Sequence, residues 1–487
     1  MAAPLRSIFR SHAHIAVFAV VFGTTLGCER AAPPPATPHV IVYLVDTLRA
    51  DRLGCYGYPG DTSPFIDELA SRSVVFEQAM SQGPWTVPSV VSLLTSTYPP
   101  SHGIHGLRRK LPEDVETLPE QMRTAGYRTA AFTQSPFAGS ATGLDQGYDE
   151  LFERPLRVDK TNRQSATVTS QQIFDWLGEQ KERQDEPLFL YIHTTEPHWP
   201  LNSLERSLTG TEREELAELN RLLQRFRHLV MRVEKNERLK AELPQLQQEL
   251  EARRDAIHRY YDLAVREADD NFRAVASALD EAGYWENAIV ILVADHGEEM
   301  LEHGYWLHDQ SLHGELVHVP LIVKLPDGHD HPASRIASPA QLVDVYPTVL
   351  DLLGLAIPDA AQGRSLLPAI RGEVSEETRP AISVRSHEGG VDPQIYEMRG
   401  NHETSLIDDD WKLIVHHDLG SASLFDRRAD PGEQRDLADA HTDRVERMKK
   451  DVDAFRAWQK SVRLTDPEPL ELTEDQVQQL RRLGYVE

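Results

Sequence analysis

The chain has 487 residues, more than one hydrophobic core usually covers, so its length predicts a large domain with a smaller second one. Apolar residues make up 40% and charged residues 26%, a globular composition that excludes a disordered or collagen-like chain. A formal net charge of −26 argues against a nucleic-acid partner, and having only two cysteines, Cys28 and Cys55, excludes a disulfide-rich scaffold and a four-thiolate zinc site.

The N-terminus has the pattern of an export signal. Two arginines precede an apolar run at 15–22 that is too short to span a bilayer, and small residues then lead to Cys28. This resembles a bacterial lipoprotein signal, so we expect a signal peptide over 1–28, lipidation of Cys28, and a Pro/Ala tether over 29–38. The expected product is an exported lipoprotein of the periplasm or cell surface, held to the membrane by its N-terminal lipid. An ordinary cleaved signal peptide and a single anchor helix are the alternatives.

Four apolar, β-branched runs predict strands that are buried on both faces; they lie at 39–45, 187–193, 288–294 and 319–324. Helical patterns fall between them, for example at 64–71, 119–125 and 264–282. Strands that alternate with helices predict an α/β fold, a doubly wound and mostly parallel sheet with helices on both faces. We expect this catalytic domain to span 39–372.

Two heptad-like patterns interrupt that alternation. Residues 212–233 and 239–260 carry apolar side chains at alternating spacings of three and four, in registers that do not join. They predict two helices in an antiparallel hairpin, within an insertion at 205–260, and Pro244 suits the hairpin only if the second helix starts near it. The insertion either packs over the rim of the active site or serves as a docking arm for a partner.

The last quarter of the chain has a different pattern of predicted elements. Short alternating runs and a helical run follow one another; they lie at 380–385, 403–416, 421–426 and 443–458. They predict a small C-terminal α+β subdomain with an antiparallel sheet over 373–465. A capping box at Thr473 predicts a helix at 473–483 in the tail, 466–487.

Two aspartates at the ends of predicted strands mark a candidate metal site. Asp46 follows the first strand, and Asp295 with His296 follows the third. Ligands of such sheets bind at the carboxyl ends of the strands, so these side chains are expected to meet. Two carboxylates and an imidazole suit Mn, Zn, Mg or Ca. Strand-end carboxylates are also common helix caps, and the pattern alone leaves that alternative open.

A candidate nucleophile lies at Thr86, within Gly83-Pro84-Trp85-Thr86-Val87-Pro88-Ser89. The apolar run that follows, 90–95, is helical, with Thr86 expected as its N-cap and Pro88 in its first turn. A helix N-terminus also presents free N–H groups to an anion, and a hydroxyl beside a metal can act as a nucleophile. Capping and catalysis are compatible roles for this one residue.

Several motifs occur in order along the chain: Val45-Asp46-Thr47-Leu48-Arg49-Ala50-Asp51, Pro88-Ser89 with Leu93-Leu94-Thr95, Glu196-Pro197-His198, Ala294-Asp295-His296-Gly297-Glu298, Glu302-His303-Gly304, Gly363-Arg364-Ser365-Leu366 and Asp430-Pro431-Gly432-Glu433. With them the chain resembles the sulfatases of the alkaline phosphatase superfamily over nearly everything after the tether. The resemblance implies that family's fold and a sulfatase-like ester hydrolase.

The chain departs from that family at its reactive residue. Sulfatases convert a Cys or Ser in a Cys/Ser-x-Pro-x-Arg motif into formylglycine; here Thr86 occupies that position and Val90 the arginine position, so no formylglycine can form. Thr47 stands at the position of the family's second metal-binding Asp. The sequence Thr133-Gln134-Ser135-Pro136 stands where the family has a Gly-Lys-x-His block. Threonine does occur at this position in lipoteichoic acid synthases, phosphoethanolamine transferases and nucleotide phosphodiesterases, where it attacks phosphorus directly.

The resemblance to these relatives implies a role for each candidate residue. A divalent metal (Ca, Mn or Zn) would bind Asp46, Asp295, His296 and Thr86, and Thr86 would be the nucleophile. His198 would contact the transferred group and His308 would lie near the leaving oxygen, so that either could act as the acid.

Three hypotheses follow from the sequence. The first is a hydrolase of phosphate, phosphonate or sulfate esters, acting on a small-molecule or envelope ester, with slow turnover expected on sulfate. The second is a transferase that moves a phospho-group onto an envelope acceptor. The third is a pseudoenzyme that binds an anionic ligand or a partner.

Overall fold

A computed structural model describes residues 37–106, 109–135, 137–153, 166–201, 203–204, 207–230, 237–329, 332–373, 379–386, 402–464 and 468–469. Its strands are β1 (His39–Val45), β2 (Val74–Met80), β3 (Arg109–Lys110), β4 (Arg128–Thr133), β5 (Glu150–Glu153), β6 (Leu188–Thr194), β7 (Ala288–Val293), β8 (Glu299–Met300), β9 (Trp306–Leu307), β10 (His318–Lys324), β11 (Ser334–Ile336), β12 (Ala340–Gln341), β13 (Ala381–Ser386), β14 (His402–Asp408), β15 (Trp411–His416), β16 (Ser421–Asp426) and β17 (Glu468–Pro469). Its α-helices are α1 (Pro64–Ala70), α2 (Thr86–Thr95), α3 (Pro99–His102), α4 (Leu118–Thr124), α5 (Ala166–Glu179), α6 (Gly210–Val230), α7 (Glu237–Glu251), α8 (Arg254–Glu281), α9 (Gly314–Val317), α10 (Val345–Leu352), α11 (Leu367–Ile370) and α12 (Thr442–Ser461).

Some sequence predictions fall outside these residues, namely the signal peptide, the lipidated Cys28, most of the tether and the tail helix at 473–483. Within the described ranges, no helix combines the length and the apolar character needed to cross a bilayer.

The central sheet has nine strands within the described ranges, in the order β11-β2-β10-β7-β1-β6-β4-β5, with β12 also paired to β2. Its pairs are parallel except those of β10, which runs antiparallel to both β7 and β2. Every residue of β1, β6 and β7 is buried, so both faces of the sheet are covered. The predicted α/β fold with a mostly parallel sheet is confirmed.

The helical insertion differs in part from its prediction. Ion pairs of 3.0 Å join Arg225 to Glu242 and Arg253 to Glu218, so α6 and the chain of α7 run antiparallel, as expected. The expected end of the second helix at residue 260 is wrong, because α7 ends at Glu251 and residues from Arg254 onward belong to α8. The apolar side chains of α8 pack into the main hydrophobic core instead.

Pro244 is also not near a helix start, since α7 begins seven residues earlier. Proline has no N–H to donate to the preceding turn of the helix. Because Pro244 is exposed, water can donate a hydrogen bond to the carbonyl that is left without a partner.

The C-terminal part forms the predicted antiparallel sheet, with strand order β13-β14-β15-β16. The run at 403–416 is a hairpin of two strands that turns at Asp409-Asp410. Apolar side chains of α12 pack against this sheet in one core. On its other side, β13 joins the catalytic part: the Val384 N–H donates to the Gln82 carbonyl at 2.9 Å, four residues before Thr86.

Candidate metal and ester-cleavage site

The carboxyl ends of neighbouring parallel strands bring the candidate metal ligands together. Asp46 follows β1, and Asp295 and His296 follow β7, which is its direct neighbour in the sheet. The Nε2 atom of His296 lies 3.4 Å from Asp46 Oδ1 and 3.6 Å from Asp295 Oδ2. All three side chains are buried, and one ligand atom from each lies within 4.8 Å of the others.

The orientation of these groups fits a divalent cation. Backbone N–H groups of Thr47 and His296 donate to Asp295 Oδ1 at 3.3 and 2.9 Å and so fix that carboxylate. His296 Nδ1 lies 2.8 Å from the Gly297 carbonyl, which requires the proton on Nδ1 and leaves the lone pair of Nε2 for a ligand.

Two carboxylate oxygens at the centre of the site lack a protein donor. Asp46 Oδ1 and Asp295 Oδ2 have no hydrogen-bond partner among the described residues although both are buried. An unpartnered buried carboxylate oxygen is costly, and a cation removes that cost. Two hard oxygens and one imidazole nitrogen therefore fit Ca, Mn or Zn.

The two carboxyl groups differ in their pKa. Burial raises the pKa of Asp295 well above its ordinary value, and the nearby Asp46 raises it further. Burial also acts against ionisation of Asp46, but His198, His193 and His296 outweigh it and hold its pKa below the ordinary value. Two such carboxyl groups side by side repel when both are ionised, which favours a bound cation between them.

Thr86 lies beside this cluster, at the start of α2. Its Oγ1 is 3.4 Å from His296 Nε2, and the residue is only 4% exposed. The prediction that Thr86 caps the helix is wrong: Trp85 is the N-cap, in extended conformation, and helical dihedrals begin at Thr86 itself. The hydroxyl is therefore directed toward the strand ends rather than back onto the helix, whose first N–H groups are left for other acceptors.

A tight loop sets the position of Thr86. The Ser89 hydroxyl bonds to the carbonyls of Gly83 and Trp85 at 2.9 and 2.8 Å. A Cβ at Gly83 would come within 2.7 Å of Pro88 Cγ, so the loop requires glycine there. The arginine position of the formylglycine motif, Val90, is fully buried in the apolar core.

His198 and His308 form a row of imidazole rings with His296. The His308 ring centroid lies 4.8 Å from that of His296 and 5.0 Å from that of His198. Glu298 Oε1 lies 2.9 Å from His308 Nδ1 and holds that ring in place. Burial lowers the pKa of His198 to about 4 and that of His308 well below its ordinary value.

No role was assigned to His193 or Glu298 from the sequence. His193 Nε2 lies 3.5 Å from Asp46 Oδ2, and its place at the end of a buried strand was the available signal. Glu298 lies in the Ala294–Glu298 motif, and burial raises its pKa to about 7.

Arg227 is a further residue that the sequence did not indicate. Burial is the main cause of the lowered pKa of His198 and of His308, neighbouring histidines come next among the causes that lower it, and the positive charge of Arg227 contributes as well. Asn220, seven residues earlier on the same helix face, accepts a hydrogen bond from the Leu201 N–H at 3.3 Å. The insertion thus contacts the segment that follows His198. The sequence could not indicate Arg227, because α6 carries several arginines and no pattern distinguishes Arg227 from the others.

An α/β sheet with buried carboxylates and imidazole at its strand ends is the arrangement of an alkaline-phosphatase-like metal site. A family model described as sulfatase matches residues 38–355, and one described as N-sulphoglucosamine sulphohydrolase, C-terminal, matches residues 301–457. The chain therefore belongs to the sulfatase family, a metal-dependent family of ester hydrolases.

Similar proteins include both sulfatases and a phosphonate-ester hydrolase. Arylsulfatase K of Xenopus laevis is 23% identical over 422 residues, covering 80% of this chain and 76% of that protein. Delta 4,5-hexuronate-2-O-sulfatase of Bacteroides thetaiotaomicron is 25% identical over 431 residues, covering 84% and 86%. The structure of a phosphonate monoester hydrolase from Silicibacter pomeroyi superposes with a TM-score of 0.65 at 21% identity, covering 87% of this chain and 96% of that one.

Proposed function

We propose that this chain is an exported, metal-dependent hydrolase that cleaves phosphate, phosphonate or sulfate esters with Thr86 as its nucleophile. The observation that carries the proposal is the Thr86 hydroxyl, 3.4 Å from His296 Nε2 at the edge of a site with unpartnered aspartate oxygens. Asp46, Asp295 and His296 would hold the metal, with Thr86 as a further ligand. When bound, the metal lowers the pKa of the Thr86 hydroxyl and offsets charge on the non-bridging oxygens.

The reaction takes two displacements. Thr86 Oγ1 forms a bond to phosphorus or sulfur as the bond to the ester oxygen breaks. His198 or His308, which its lowered pKa leaves uncharged, accepts the proton of the Thr86 hydroxyl and then acts as the acid that passes it to the departing oxygen. Water then attacks the same centre, the bond to Thr86 Oγ1 breaks, and the hydroxyl regains its proton. The free N–H groups at the start of α2 favour the negative charge that develops during both steps.

Phosphorus esters are the better substrates under this proposal. Threonine carries a methyl group on Cβ, so oxidation cannot give the aldehyde on which formylglycine chemistry depends. We propose that Arg227 from α6 supplies positive charge in place of the missing motif arginine; its contribution to lowering the pKa of His198 and His308 supports this. The similarity to a phosphonate monoester hydrolase is consistent with this preference.

The experiment combines metal analysis with a substrate panel. Purified protein is stripped with a chelator, reloaded with Mn, Zn or Ca, and assayed on 4-nitrophenyl phosphate, a phosphodiester, a phosphonate and a sulfate, beside Thr86→Ala. Metal-dependent release of nitrophenol that Thr86→Ala abolishes supports the proposal, and the fastest ester defines the class. Fast sulfate hydrolysis that survives Thr86→Ala overturns the mechanism, and absence of both metal and turnover favours a pseudoenzyme. Transfer of the phospho-group to an added alcohol in place of water identifies a transferase.

Export rests on the signal pattern that ends at Cys28, and we propose lipidation there. Membrane fractionation with radiolabelled palmitate tests it. Label and membrane association that Cys28→Ser removes support the anchor, and unlabelled protein in the soluble fraction contradicts it.

A further inference from the structure

His193, at the end of β6, lies next to Asp46 of the candidate metal site. Tyr191, two residues earlier on the same strand, faces the same side of the sheet, and both side chains are almost fully buried. β6 is the direct neighbour of β1, and their pairing continues past β1, since the Asp46 N–H donates to the Thr194 carbonyl at 2.9 Å. The backbone of Asp46 is therefore fixed beside the strand that carries His193.

The two carboxylate oxygens of Asp46 face different groups. Oδ1 lies 3.4 Å from His296 Nε2 and has no hydrogen-bond partner among the described residues. Oδ2 lies 3.5 Å from His193 Nε2. Within the described part of the chain, the ligand atoms that converge within 4.8 Å come from Asp46, Asp295 and His296, and His193 is not among them. The position of His193 is therefore that of a group that supports a ligand, on the oxygen that the metal does not need.

The contacts of His193 determine which of its ring nitrogens carries the proton. The Tyr191 Oη atom lies 3.1 Å from His193 Nδ1, and Nε2 has no closer hydrogen-bond partner than Asp46 in the parts of the chain that the structure describes. A carboxylate only accepts hydrogen bonds, so the neutral ring faces Asp46 favourably when Nε2 carries the proton. Nδ1 then accepts a hydrogen bond from the Tyr191 hydroxyl. The opposite tautomer would direct a lone pair at a buried carboxylate, which is unfavourable.

We propose that His193 is a positioning residue of the metal site, which holds Asp46 Oδ2 so that Oδ1 is directed to the cation, and that Tyr191 fixes the tautomer this requires. The inference rests on the proposed metal-dependent hydrolase function. Groups that orient a metal ligand without contacting the metal typically change metal affinity by about 10- to 100-fold. His193 and Tyr191 should therefore affect metal binding itself, before any substrate is present.

The test measures metal affinity and needs no turnover. Protein stripped with a chelator is titrated with Mn²⁺ at pH 7 in the presence of a competing chelator. We expect His193→Leu, which removes the donor, to weaken binding about 10- to 100-fold. His193→Gln can place an amide N–H near the position of Nε2 and should recover most of that loss. Tyr191→Phe keeps the imidazole but not the hydroxyl that selects its tautomer, and should weaken binding about two- to tenfold.

Tyr148→Phe is the matched control for Tyr191→Phe. The ring centroids of these two tyrosines lie 6.4 Å apart, and the buried Tyr148 hydroxyl has no hydrogen-bond partner among the described residues. Removing that hydroxyl should leave metal affinity unchanged. Tyr191→Phe is also combined with His193→Leu, where no tautomer remains to be selected. We expect the second substitution to cause no further loss of affinity, because Tyr191 acts through His193.

Urea unfolding in chelator separates packing from positioning. A His193→Leu protein that is less stable without metal but binds Mn²⁺ as tightly as the wild type would assign His193 to packing alone and overturn the inference. Equal affinities of Tyr191→Phe and Tyr148→Phe would overturn the role of Tyr191, even if His193→Leu does not fold.

The outcomes also distinguish this inference from the proposed function. Weaker Mn²⁺ binding in the His193 and Tyr191 variants supports positioning even if no ester is hydrolysed. Equal Mn²⁺ binding in all variants of an active enzyme overturns the positioning role and leaves the hydrolase in place. A wild type that binds no metal overturns both.

Discussion

The Oγ1 atom of Thr86 lies 3.4 Å from Nε2 of His296, the same nitrogen that faces the carboxylate of Asp46 at 3.4 Å. One imidazole thus adjoins both the candidate nucleophile and a candidate metal ligand. A metal bound through that nitrogen would lie next to the hydroxyl, which is the arrangement that lets it activate an alcohol.

Replacing the hydroxyl at position 86 separates chemistry from packing. Thr86→Val keeps the volume and removes the oxygen, so we expect kcat to fall by about 10³-fold or more, whereas Thr86→Ser keeps a nucleophile and stays within about tenfold. Steady-state kinetics on the preferred aryl ester measure both, and bound metal is determined in each variant. Comparable kcat values for Thr86→Val and the wild type would eliminate Thr86 as the nucleophile.

Removing one carboxylate of the candidate metal site should affect the free energy of unfolding differently with and without metal. Without metal, Asp46 and Asp295 are buried side by side, so Asp295→Asn should raise the free energy of unfolding at pH 7 by relieving their repulsion. With Mn, Zn or Ca, the wild type gains stability by ligand linkage and Asp295→Asn does not.

Urea unfolding in chelator and in excess metal measures both effects. Asp61→Asn is the control, because Asp61 is 84% exposed and pairs with Arg266 on the surface. Equal metal stabilisation of Asp295→Asn and the wild type would exclude Asp295 as a ligand.

The sequence identified the strands that carry the site but not everything that surrounds it. The apolar run at 39–45 coincides with β1, and β6 and β7 begin and end within one residue of their predicted limits. The reversed direction of β10 could not be predicted, because a strand buried on both faces has the same apolar pattern in either direction. Arg227 was not predicted either, since its position relative to His198 and His308 depends on how α6 packs in the folded domain, which is a tertiary relationship.

Arg227 should matter for turnover, while its neighbour Arg225 should not. A charge-assisted contact to an anion contributes about 1.5–3 kcal/mol, so Arg227→Ala should lower kcat/KM by about 10- to 100-fold. Arg225→Ala is the matched control, because Arg225 lies on the surface of the same helix and pairs with Glu242. Steady-state kinetics with the preferred ester compare the two variants. If both lose activity equally, the effect comes from the helix as a whole and the role of Arg227 is refuted.

A buried ion pair of the C-terminal part, between Lys412 and Glu433, also contacts the catalytic part through His313. Lys412 of β15 donates to both oxygens of Glu433 at 2.9 Å, and both side chains are almost fully buried. Glu433 Oε2 also lies 3.0 Å from His313 Nδ1, just before α9. Burial acts against its ionisation, but Lys412 and His313 outweigh it and hold the pKa of Glu433 far below the ordinary 4.5.

This lowered pKa predicts acid sensitivity with a definite sign. Above pH 4.5 the carboxylate is ionised in both states and its contribution to stability is fully present. As the pH falls below 4.5 the unfolded state takes up the proton first, so the free energy of unfolding decreases toward the lowered pKa. Lys412→Met leaves Glu433 buried without its cation and should cost about 3–5 kcal/mol at pH 7. Glu433→Gln cannot titrate, so its stability should fall less steeply between pH 5 and pH 3 than that of the wild type. Urea unfolding across that range measures both slopes, and parallel curves would show that Glu433 is not the group responsible.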